Sequence, residues 1–412
     1  MNFDNSYRGL PEAFYASVSP DEVPKPELLA WNAELANELG IATSGYDEEQ
    51  LASIFGGSVP LEGSQPISMA YAGHQFGHFV PQLGDGRAAL LGEVVTDAGR
   101  RFDIQLKGSG RTPFSRGGDG KSWLGPVLRE YILSEAMHRL GVPTTRSLAA
   151  VATGETVYRE TAMPGAVFTR VAASHLRVGT FEYFAARKDV ESLKTLADYA
   201  IERHYPEVSD DESRYISFLR RVIERQAELV AHWMSIGFIH GVMNTDNTAI
   251  SGETIDYGPA AYMDEFRFDK VFSSIDNYGR YAYANQPTIA QWNLARLADT
   301  LLALGEDRAE LQDVLGLFPG LYETHYLALM GPKLGLYDVQ DADAALIVEW
   351  LKHLNDNGLD YTMSFRELAS RADAVDESQF GSFEAKWRQR TSNQGRAAAE
   401  ISARMNSVNP LF

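Results

Sequence analysis

Two oxygen-bearing side chains, Asn247 and Asp256, lie nine residues apart in the sequence and could share a divalent cation. Mg²⁺ prefers hard oxygen donors and usually takes one or two from a protein, together with phosphates and water. Asp246 precedes Asn247, and it could either accept a proton from an incoming hydroxyl or orient Asn247. In the alternative interpretation, the two residues are structural: Asn247 caps a turn and Asp256 begins a turn before Pro259. The residue types alone leave these roles open.

The loop that ends at this metal-binding pair reads His240-Gly-Val-Met-Asn-Thr-Asp-Asn247. It is similar to the catalytic loop of kinase-type phosphotransferases, in which an aspartate follows the His-Gly pair and accepts the proton of the substrate hydroxyl. Val242 occupies that aspartate position, and a valine cannot accept a proton. The sequence therefore predicts a site that binds a metal and a nucleotide but lacks the usual base for γ-phosphoryl transfer.

Lys107 and Glu130 form a second candidate pair. Lys107 ends a strand-like segment, and Glu130 lies on the helix predicted to follow it. In kinases, a lysine so placed holds phosphates and an acid on the next helix holds the lysine. Each residue also has an ordinary explanation, as a solvated lysine and as an acid that complements a helix dipole. Their order ahead of the His240 loop favours the functional explanation.

Two arginines and a glycine-containing turn could bind phosphates. Arg170 and Arg177 could clamp a phosphate from one helix face if their segment is helical, although two surface arginines are the ordinary case. Gly84 and Gly86 leave backbone N–H groups that can face phosphate oxygens, with Arg87 beside them. An isolated Gly-x-Gly is more often a plain hairpin turn, so this motif is weak by itself.

Charge and composition limit the classes of ligand. Residues 84–121 hold seven Lys/Arg against five Asp/Glu, a local excess of positive charge in a chain of net charge −19. This patch suits a polyphosphate, whereas the acidic chain as a whole argues against nucleic acid as a partner. The run Gly117–Ser122 imitates the end of a phosphate-binding P-loop, but Ser115 replaces the first required glycine and excludes that motif.

The chain has no cysteine, which excludes disulfides, thiolate metal sites and a cysteine nucleophile. No apolar run approaches the roughly 18–20 residues of a membrane span. The segment Met1–Glu12 has neither the apolar core of a signal peptide nor the basic character of a transit segment. We expect a cytoplasmic, monomeric, globular protein that associates with neither membrane nor nucleic acid.

Hydrophobic periodicity predicts an α+β fold. Residues 1–65 read as an N-terminal extension packed on the body, 66–164 as a small β-rich lobe, and 165–412 as a large helical lobe, with a cleft between the lobes. The predicted strands are 88–95, 101–106, 147–152 and 155–159, and the predicted helices are 26–39, 126–140, 213–236, 288–304, 341–355 and 383–404.

Taken together, these motifs resemble the SelO (YdiU) family of kinase-fold pseudokinases over nearly the whole chain. The segments that carry the resemblance are Tyr71-Ala-Gly-His-Gln-Phe-Gly77, Pro81-Gln-Leu-Gly-Asp-Gly-Arg87, Gln105-Leu-Lys-Gly-Ser-Gly-Arg-Thr-Pro-Phe-Ser-Arg-Gly-Gly-Asp-Gly120, Leu128-Arg-Glu-Tyr131, His240–Asn247 and Ile255-Asp-Tyr-Gly-Pro259.

The resemblance implies a two-lobed, protein-kinase-like fold and transfer of AMP from ATP to Ser, Thr or Tyr hydroxyls of proteins. The nucleotide would bind in a flipped orientation, so that attack falls on the α-phosphate and pyrophosphate leaves. Mg²⁺ or Mn²⁺ would bind Asn247 and Asp256, Asp246 would accept the proton, and Glu130 would pair with Lys107. The residues implied in nucleotide binding are Gly84, Gly86, Arg87, Lys107, Asp119, Gly120, Arg170, Arg177 and Asp256.

Two alternatives stay open: UMP transfer from UTP with Mn²⁺, and a non-catalytic nucleotide-binding scaffold. The chain also departs from the family in having no cysteine and in ending at Phe412, where members usually continue with a tail that often carries a redox cysteine or selenocysteine. We therefore expect a truncated C-terminal tail, and the sequence leaves open whether a redox residue in such a tail regulates the protein.

Overall fold

The computed structural model describes residues 3–41, 45–374 and 379–411. The chain is a mixture of helices and antiparallel strands, and its contacts divide it into two compact units. The first unit comprises Met1–Val222, Asn244–Gly258 and Asn293–Leu315. The second unit comprises Ile223–Met243, Pro259–Trp292 and Gly316–Phe412.

Most strands of the described residues are short. They are β1 (Tyr15–Ser17), β2 (Glu27–Trp31), β3 (Ile67–Met69), β4 (Gly73–Gln75), β5 (His78–Val80), β6 (Ala88–Val95), β7 (Arg101–Lys107), β8 (Ser122–Trp123), β9 (Arg146–Tyr158), β10 (Ala162–Ala172), β11 (Phe238–Ile239) and β12 (Ala261–Tyr262).

The helices of the described residues are also numbered in chain order. They are α1 (Ala33–Glu38), α2 (Glu48–Phe55), α3 (Leu124–Arg139), α4 (Val178–Arg187), α5 (Val190–His204), α6 (Arg214–Ser235), α7 (Gln286–Leu301), α8 (Arg308–Leu315), α9 (Phe318–Lys333), α10 (Asp343–Asn357), α11 (Tyr361–Ser370), α12 (Gly381–Ser392) and α13 (Ala398–Val408). In the part of the chain that the structure describes, none of these helices is both long and apolar enough to cross a membrane.

The first unit is built on an antiparallel sheet. Among the described residues its strand order is β1–β3–β6–β7–β10–β9–β2, and β8 pairs with β10. The strands β7 and β10 are central, so both edges of each are paired with a neighbouring strand. Because successive side chains of a strand point to opposite faces, Val167 and Phe168 of β10 enter two different apolar clusters.

The helices α2 and α3 cover opposite faces of this sheet. On one face, Ile54 and Phe55 of α2 pack in the same cluster as Ile104 and Val167. On the other face, α3 places Val127 against Phe168. Pro126 suits the first turn of α3 because its ring fixes a helical φ and its missing N–H has no helical partner there. Phe168 is paired with Lys107 at the end of β7, so α3 covers the part of β10 that lies beside Lys107.

The second unit contains the pair β11–β12 and the helices α9 to α13. Its core is aromatic, with the ring of Trp350 5.4 Å from Phe365 and 4.9 Å from Phe383. The indole N–H of the buried Trp387 donates to the carbonyl of Leu334 at 2.8 Å.

Most of the predicted elements are confirmed, and three are wrong in detail. Residues 147–152 and 155–159 form the single strand β9, and 383–404 forms two helices, α12 and α13. The helix predicted for 26–39 is wrong in its first half: Glu27–Trp31 pairs with β9 as strand β2, and only Ala33–Glu38 is helical. Asn32 separates the two, because its side chain caps the helix by accepting from the Leu35 N–H at 3.0 Å.

Candidate active site

Lys107 and Glu130 meet because α3 packs on β10, where Phe168 is paired with Lys107 of β7. Val127 anchors α3 on the sheet, and Glu130, three residues further on, lies on the same helix face. The Nζ atom of Lys107 lies 2.7 Å from Oε2 and 3.1 Å from Oε1 of Glu130. Both side chains are nearly buried, so the pair is shielded from solvent screening.

Asp256 is the centre of the charge cluster. Its Oδ1 accepts from Lys107 Nζ at 2.5 Å and from Arg170 Nη1 at 2.7 Å. Its Oδ2 accepts from Arg177 Nη1 at 3.0 Å. Burial by itself would raise the pKa of Asp256, but Arg170, Lys107 and Arg177 hold that pKa well below its ordinary value. The carboxylate is therefore charged at any physiological pH.

The backbone of Asp256 is strained. Its φ of +63° lies in the left-handed region, which a residue with a Cβ seldom adopts and which costs on the order of 1–3 kcal/mol. Three cationic partners offset that cost by fixing the side chain. Such strain is characteristic of positions where side-chain placement matters more than local stability.

Arg170 and Arg177 do not share a helix face, contrary to the conditional prediction. Arg170 lies near the end of β10, opposite Gln105 of β7, and Arg177 immediately precedes α4. Both are almost completely buried and reach Asp256 from different elements. Burial opposes the charge of each guanidinium, but Asp256 raises the pKa of both. Strand pairing on both sides of β10 overrides any helical tendency of this segment.

A buried chain of hydrogen bonds holds Arg170 in place. Its Nη2 donates to Gln105 Oε1 at 2.6 Å, and its Nε lies 3.2 Å from His175 Nε2. His175 Nδ1 in turn lies 2.9 Å from Asp103 Oδ2. Burial lowers the pKa of His175, so a neutral ring that donates from Nδ1 and accepts at Nε2 satisfies both neighbours.

Asp246 has a different environment, in a 3₁₀ turn formed by Thr245–Asn247. Its Oδ2 accepts from Gln75 Nε2 at 3.1 Å, while its Oδ1 is buried and has no hydrogen-bond partner among the described residues. Burial raises the pKa of Asp246 to about 6, although Gln75 and Arg177 oppose that rise. Arg177 Nη1 donates to the backbone carbonyl of Asp246 at 2.8 Å.

Asn247 follows Asp246 in the same turn, and its N–H donates to Asn244 O at 3.0 Å. The structure thus places Asn247 beside Asp246, and Arg177 connects that turn to Asp256. Within the described ranges, no group of three or more His, Asp or Glu side chains is arranged to hold a metal ion. A cation here would depend on the mixed amide and carboxylate pair, Asn247 and Asp256.

The turn with Gly84 and Gly86 packs against the loop that follows β7. A Cβ on Gly84 would lie 2.4 Å from the ring of Phe114, and one on Gly86 would lie 2.7 Å from the Phe114 carbonyl. Asp85 between them is buried and accepts from Gln105 Nε2 at 3.1 Å. The two glycines are thus required by packing, whatever they contact in a ligand.

The remaining predicted nucleotide-binding residues make contacts other than those to Asp256. Arg87 is exposed, and its carbonyl accepts from the Gly108 N–H at 2.7 Å. Asp119 pairs with Arg159 at 2.7 Å, and these bonds lower the pKa of Asp119 to about 2. A Cβ on Gly120 would lie 2.0 Å from the Gly110 carbonyl, so this glycine also closes a tight loop.

Sequence reasoning assigned no role to several residues that touch this site. Gln105 joins Asp85 to Arg170, and Gln75 binds Asp246. Gly73 also packs on Asp246, because a Cβ on it would lie 2.7 Å from Oδ1. The signal was present in part: Gln75 and Gly73 fall in Tyr71–Gly77, and Gln105 opens Gln105–Gly120, two segments that carried the resemblance.

Comparison with known proteins extends the similarity to the whole chain. A family model described as protein adenylyltransferase SelO matches residues 1–410. The chain is 55% identical to the protein nucleotidyltransferase YdiU of Rhizobium meliloti (strain 1021) over 428 aligned residues, which cover 100% of this chain and 87% of that protein. Proteins of the same name from Bradyrhizobium diazoefficiens and Agrobacterium fabrum are both 54% identical, with 100% of this chain and 87% and 88% of those proteins covered.

Proposed function

The chain belongs to the SelO family and is a nucleotidyltransferase, and from that premise we propose that it transfers AMP from ATP to Ser, Thr or Tyr hydroxyls of proteins. The observation that carries the proposal is the convergence of Lys107, Arg170 and Arg177 on Asp256. Three buried cations around one carboxylate suit a metal-bound triphosphate, whose oxygens would share the same cations.

The kinase-like, two-lobed fold is part of this proposal. A lysine at a strand end, an acid on the next helix and a strained Asp ahead of an aromatic-Gly pair are the parts that kinases use to hold a nucleotide. Lys107, Glu130 and Asp256 supply them here and are in direct contact. The division into an extension (1–65), a small lobe (66–164) and a helical lobe (165–412) is proposed on the same grounds.

Mg²⁺ or Mn²⁺ would bind Asn247 and Asp256, and the donor chemistry fits. Both offer hard oxygens, and the adjacent Asp246 keeps a buried carboxylate oxygen that no described residue satisfies. When bound, a divalent cation neutralises charge on the phosphates and orients them. Lys107, Arg170 and Arg177 would contribute the remaining positive charge.

In the proposed reaction, Asp246 takes the proton of the incoming hydroxyl. The hydroxyl oxygen forms a bond to the α-phosphorus, and the bond from that phosphorus to the oxygen bridging to the β-phosphate breaks. Pyrophosphate leaves with its charge held by Lys107, Arg170 and Arg177. Attack at the α-phosphorus accounts for Val242, since the vacant aspartate position belongs to γ-phosphoryl transfer.

The test follows the label of ATP. The full chain is incubated with Mg²⁺, with casein as the acceptor protein, and with ATP labelled at either the α- or the γ-phosphorus. We expect α-label, and no γ-label, on casein or on the enzyme itself, together with release of pyrophosphate. An Asp256→Ala variant and a reaction with EDTA are the matched controls, and both should lose the label. Label from the γ-phosphorus alone would contradict the proposal.

UMP transfer from UTP with Mn²⁺ is a second candidate, because the relatives are named nucleotidyltransferases without a stated nucleotide. Equal concentrations of α-labelled ATP and UTP, with Mg²⁺ or Mn²⁺ in turn, separate the two. We expect AMP transfer to dominate with Mg²⁺. We further propose that the enzyme acts in the cytoplasm, where ATP and reduced proteins are available.

A further inference from the structure

The hairpin formed by β4 and β5, Gly73–Val80, is tied to the turn that carries Asp246. Three consecutive hairpin residues each bond to one of residues 244–246, at the start of that turn. The His74 N–H donates to Thr245 Oγ1 at 2.6 Å, and Gln75 Nε2 donates to Asp246 Oδ2 at 3.1 Å. The Phe76 N–H donates to Asn244 Oδ1 at 3.2 Å. The turn and the hairpin therefore keep one fixed register.

The tip of the hairpin is built to preserve that register. Phe76 and Gly77 form a two-residue turn with φ values of +50° and +84°. Such a turn matches the twist of paired strands, but a phenylalanine seldom adopts its left-handed conformation. The bond from Phe76 N–H to Asn244 holds it there. The strain is consistent with a hairpin whose position matters more than its local stability.

Helix α4 connects the hairpin and the Asp246 turn through a second set of contacts. Glu182 on α4 is buried, and its Oε1 contacts His74 Nδ1 while its Oε2 accepts from the Thr245 hydroxyl. One carboxylate thus joins the hairpin to the turn. Gln75 is placed between these links and contributes a single donor to Asp246.

The consequence concerns the two oxygens of Asp246. Gln75 fixes Oδ2, and Oδ1 is left buried against Gly73, without a hydrogen-bond partner among the described residues. Asp246 as a whole is only 7% exposed. Bulk water therefore has little access to the carboxylate that, under the proposed function, accepts the proton.

We propose that Gln75 is a positioning residue for Asp246, and that the Gly73–Val80 hairpin keeps water from that carboxylate so that a protein hydroxyl, rather than water, receives the AMP. The inference rests on the proposed function. With a hydroxyl acceptor, its oxygen bonds to the α-phosphorus, pyrophosphate leaves and the proton passes to Asp246. With water as acceptor, the same bond breaks and the products are free AMP and pyrophosphate.

The test measures how AMP is divided between protein and water. Gln75→Met removes the donor, and Gln75→Glu keeps the side-chain size but cannot donate when ionised. With α-labelled ATP, Mg²⁺ and casein, we expect kcat for transfer to fall about tenfold or more in both variants, with KM for ATP nearly unchanged. The ratio of free AMP to transferred AMP should rise several-fold. That ratio does not depend on the fraction of enzyme that folds.

The control is His78→Gln, an exposed residue paired with Gln75 across the same hairpin, and it should match the wild type in rate and ratio. Wild-type rates and ratios in both Gln75 variants would overturn the inference. A raised KM for ATP with an unchanged ratio would also overturn it, since Gln75 would then belong to the nucleotide site. If the wild type transfers no α-label at all, the proposed function fails and the Gln75 variants are not the cause.

Discussion

Asp256 and Asp246 lie in one compact unit, ten residues apart, in opposite surroundings. Three cations hold the carboxylate of Asp256, and its pKa is far below the ordinary range. One amide holds the carboxylate of Asp246, and burial raises its pKa to about 6. Environments that separate two carboxylates in this way are how active sites assign different tasks to the same side chain.

The two environments suit the two carboxylates to different tasks. A carboxylate that stays ionised and is crowded by cations is suited to holding a metal and to organising phosphates. A carboxylate with an unpartnered buried oxygen is suited to receiving a proton, because nothing else competes for that oxygen. A group kept unsatisfied at a cost of about 1–3 kcal/mol is poorly explained as a structural support.

The largest effect is expected from Asp256→Ala. The change leaves Lys107, Arg170 and Arg177 with one carboxylate fewer inside the protein, and breaking a buried ion pair costs about 3–5 kcal/mol. Transfer should fall to background and the free energy of unfolding should drop by that amount, as measured by urea titration. The control is Glu34→Ala at the exposed pair with Arg139, where a change under about 1 kcal/mol is expected. Equal stability loss in both variants would contradict a buried charge network.

Asp246→Asn should separate activity from stability. The variant keeps the volume but cannot accept the proton, so transfer should fall about 10²–10⁴-fold. The free energy of unfolding should stay the same or increase, because the amide removes a buried charge that lacks a partner at Oδ1. Thermal unfolding, measured together with the transfer rate, shows whether Asp246 acts in catalysis or in stability. A marked loss of stability with near-normal transfer would make Asp246 a support for Asn247 instead of the base.

The contrast between the two carboxylates was only partly predictable from sequence. Strands β6 and β7 and helix α3 follow from periodicity and from Pro126, and their order placed Lys107 near Glu130. The position of Val242 indicated which base is missing. The inferences about the strands, the helix and the Lys107–Glu130 pair are confirmed because each depends on neighbours within one element or on a spacing along the chain, whereas the inference from Val242 stays a prediction.

What could not be predicted depends on contacts between distant segments. Arg170 reaches Asp256 from a central strand, and no local pattern separates that from two surface arginines on a helix. Gln75 lies 171 residues before Asp246, and its bond to Oδ2 arises only from tertiary packing. Likewise β2 forms by pairing with β9, although its own sequence also suits a helix.

A smaller effect, confined to the Asp246 region, is expected from Gly73→Ala. The added Cβ would lie 2.7 Å from Asp246 Oδ1, so the carboxylate must shift by a few tenths of an ångström or more. A misplaced base should reduce transfer by roughly 10–100-fold, while stability falls by about 1–3 kcal/mol from overpacking. Gly9→Ala is the control, because nothing lies within 4 Å of the Cβ it would add. Unchanged transfer in Gly73→Ala would show that the carboxylate is not held tightly.

The smallest effect on activity is expected at Lys333, a buried charge outside the site. Its ammonium lies 4.5 Å from the centre of the Phe365 ring and 5.9 Å from that of Tyr361. Burial lowers the pKa of Lys333 to about 7, against an ordinary value of about 10.4. Below pH 7 the folded protein must hold a buried cation, and between about pH 7 and 10.4 only the unfolded chain keeps the proton.

The stability contributed at Lys333 should therefore rise with pH through that window, and Lys333→Met should remove the rise. At pH 7 the variant should also unfold at a higher temperature, while its transfer rate matches the wild type. The difference between the two proteins in thermal unfolding from pH 6 to pH 10 isolates this group from others that titrate in the same range. If Lys333→Met instead reduced transfer as much as Asp246→Asn does, a buried charge outside the site would affect transfer as strongly as Asp246. The loss of transfer in Asp246→Asn would then no longer identify Asp246 as the base.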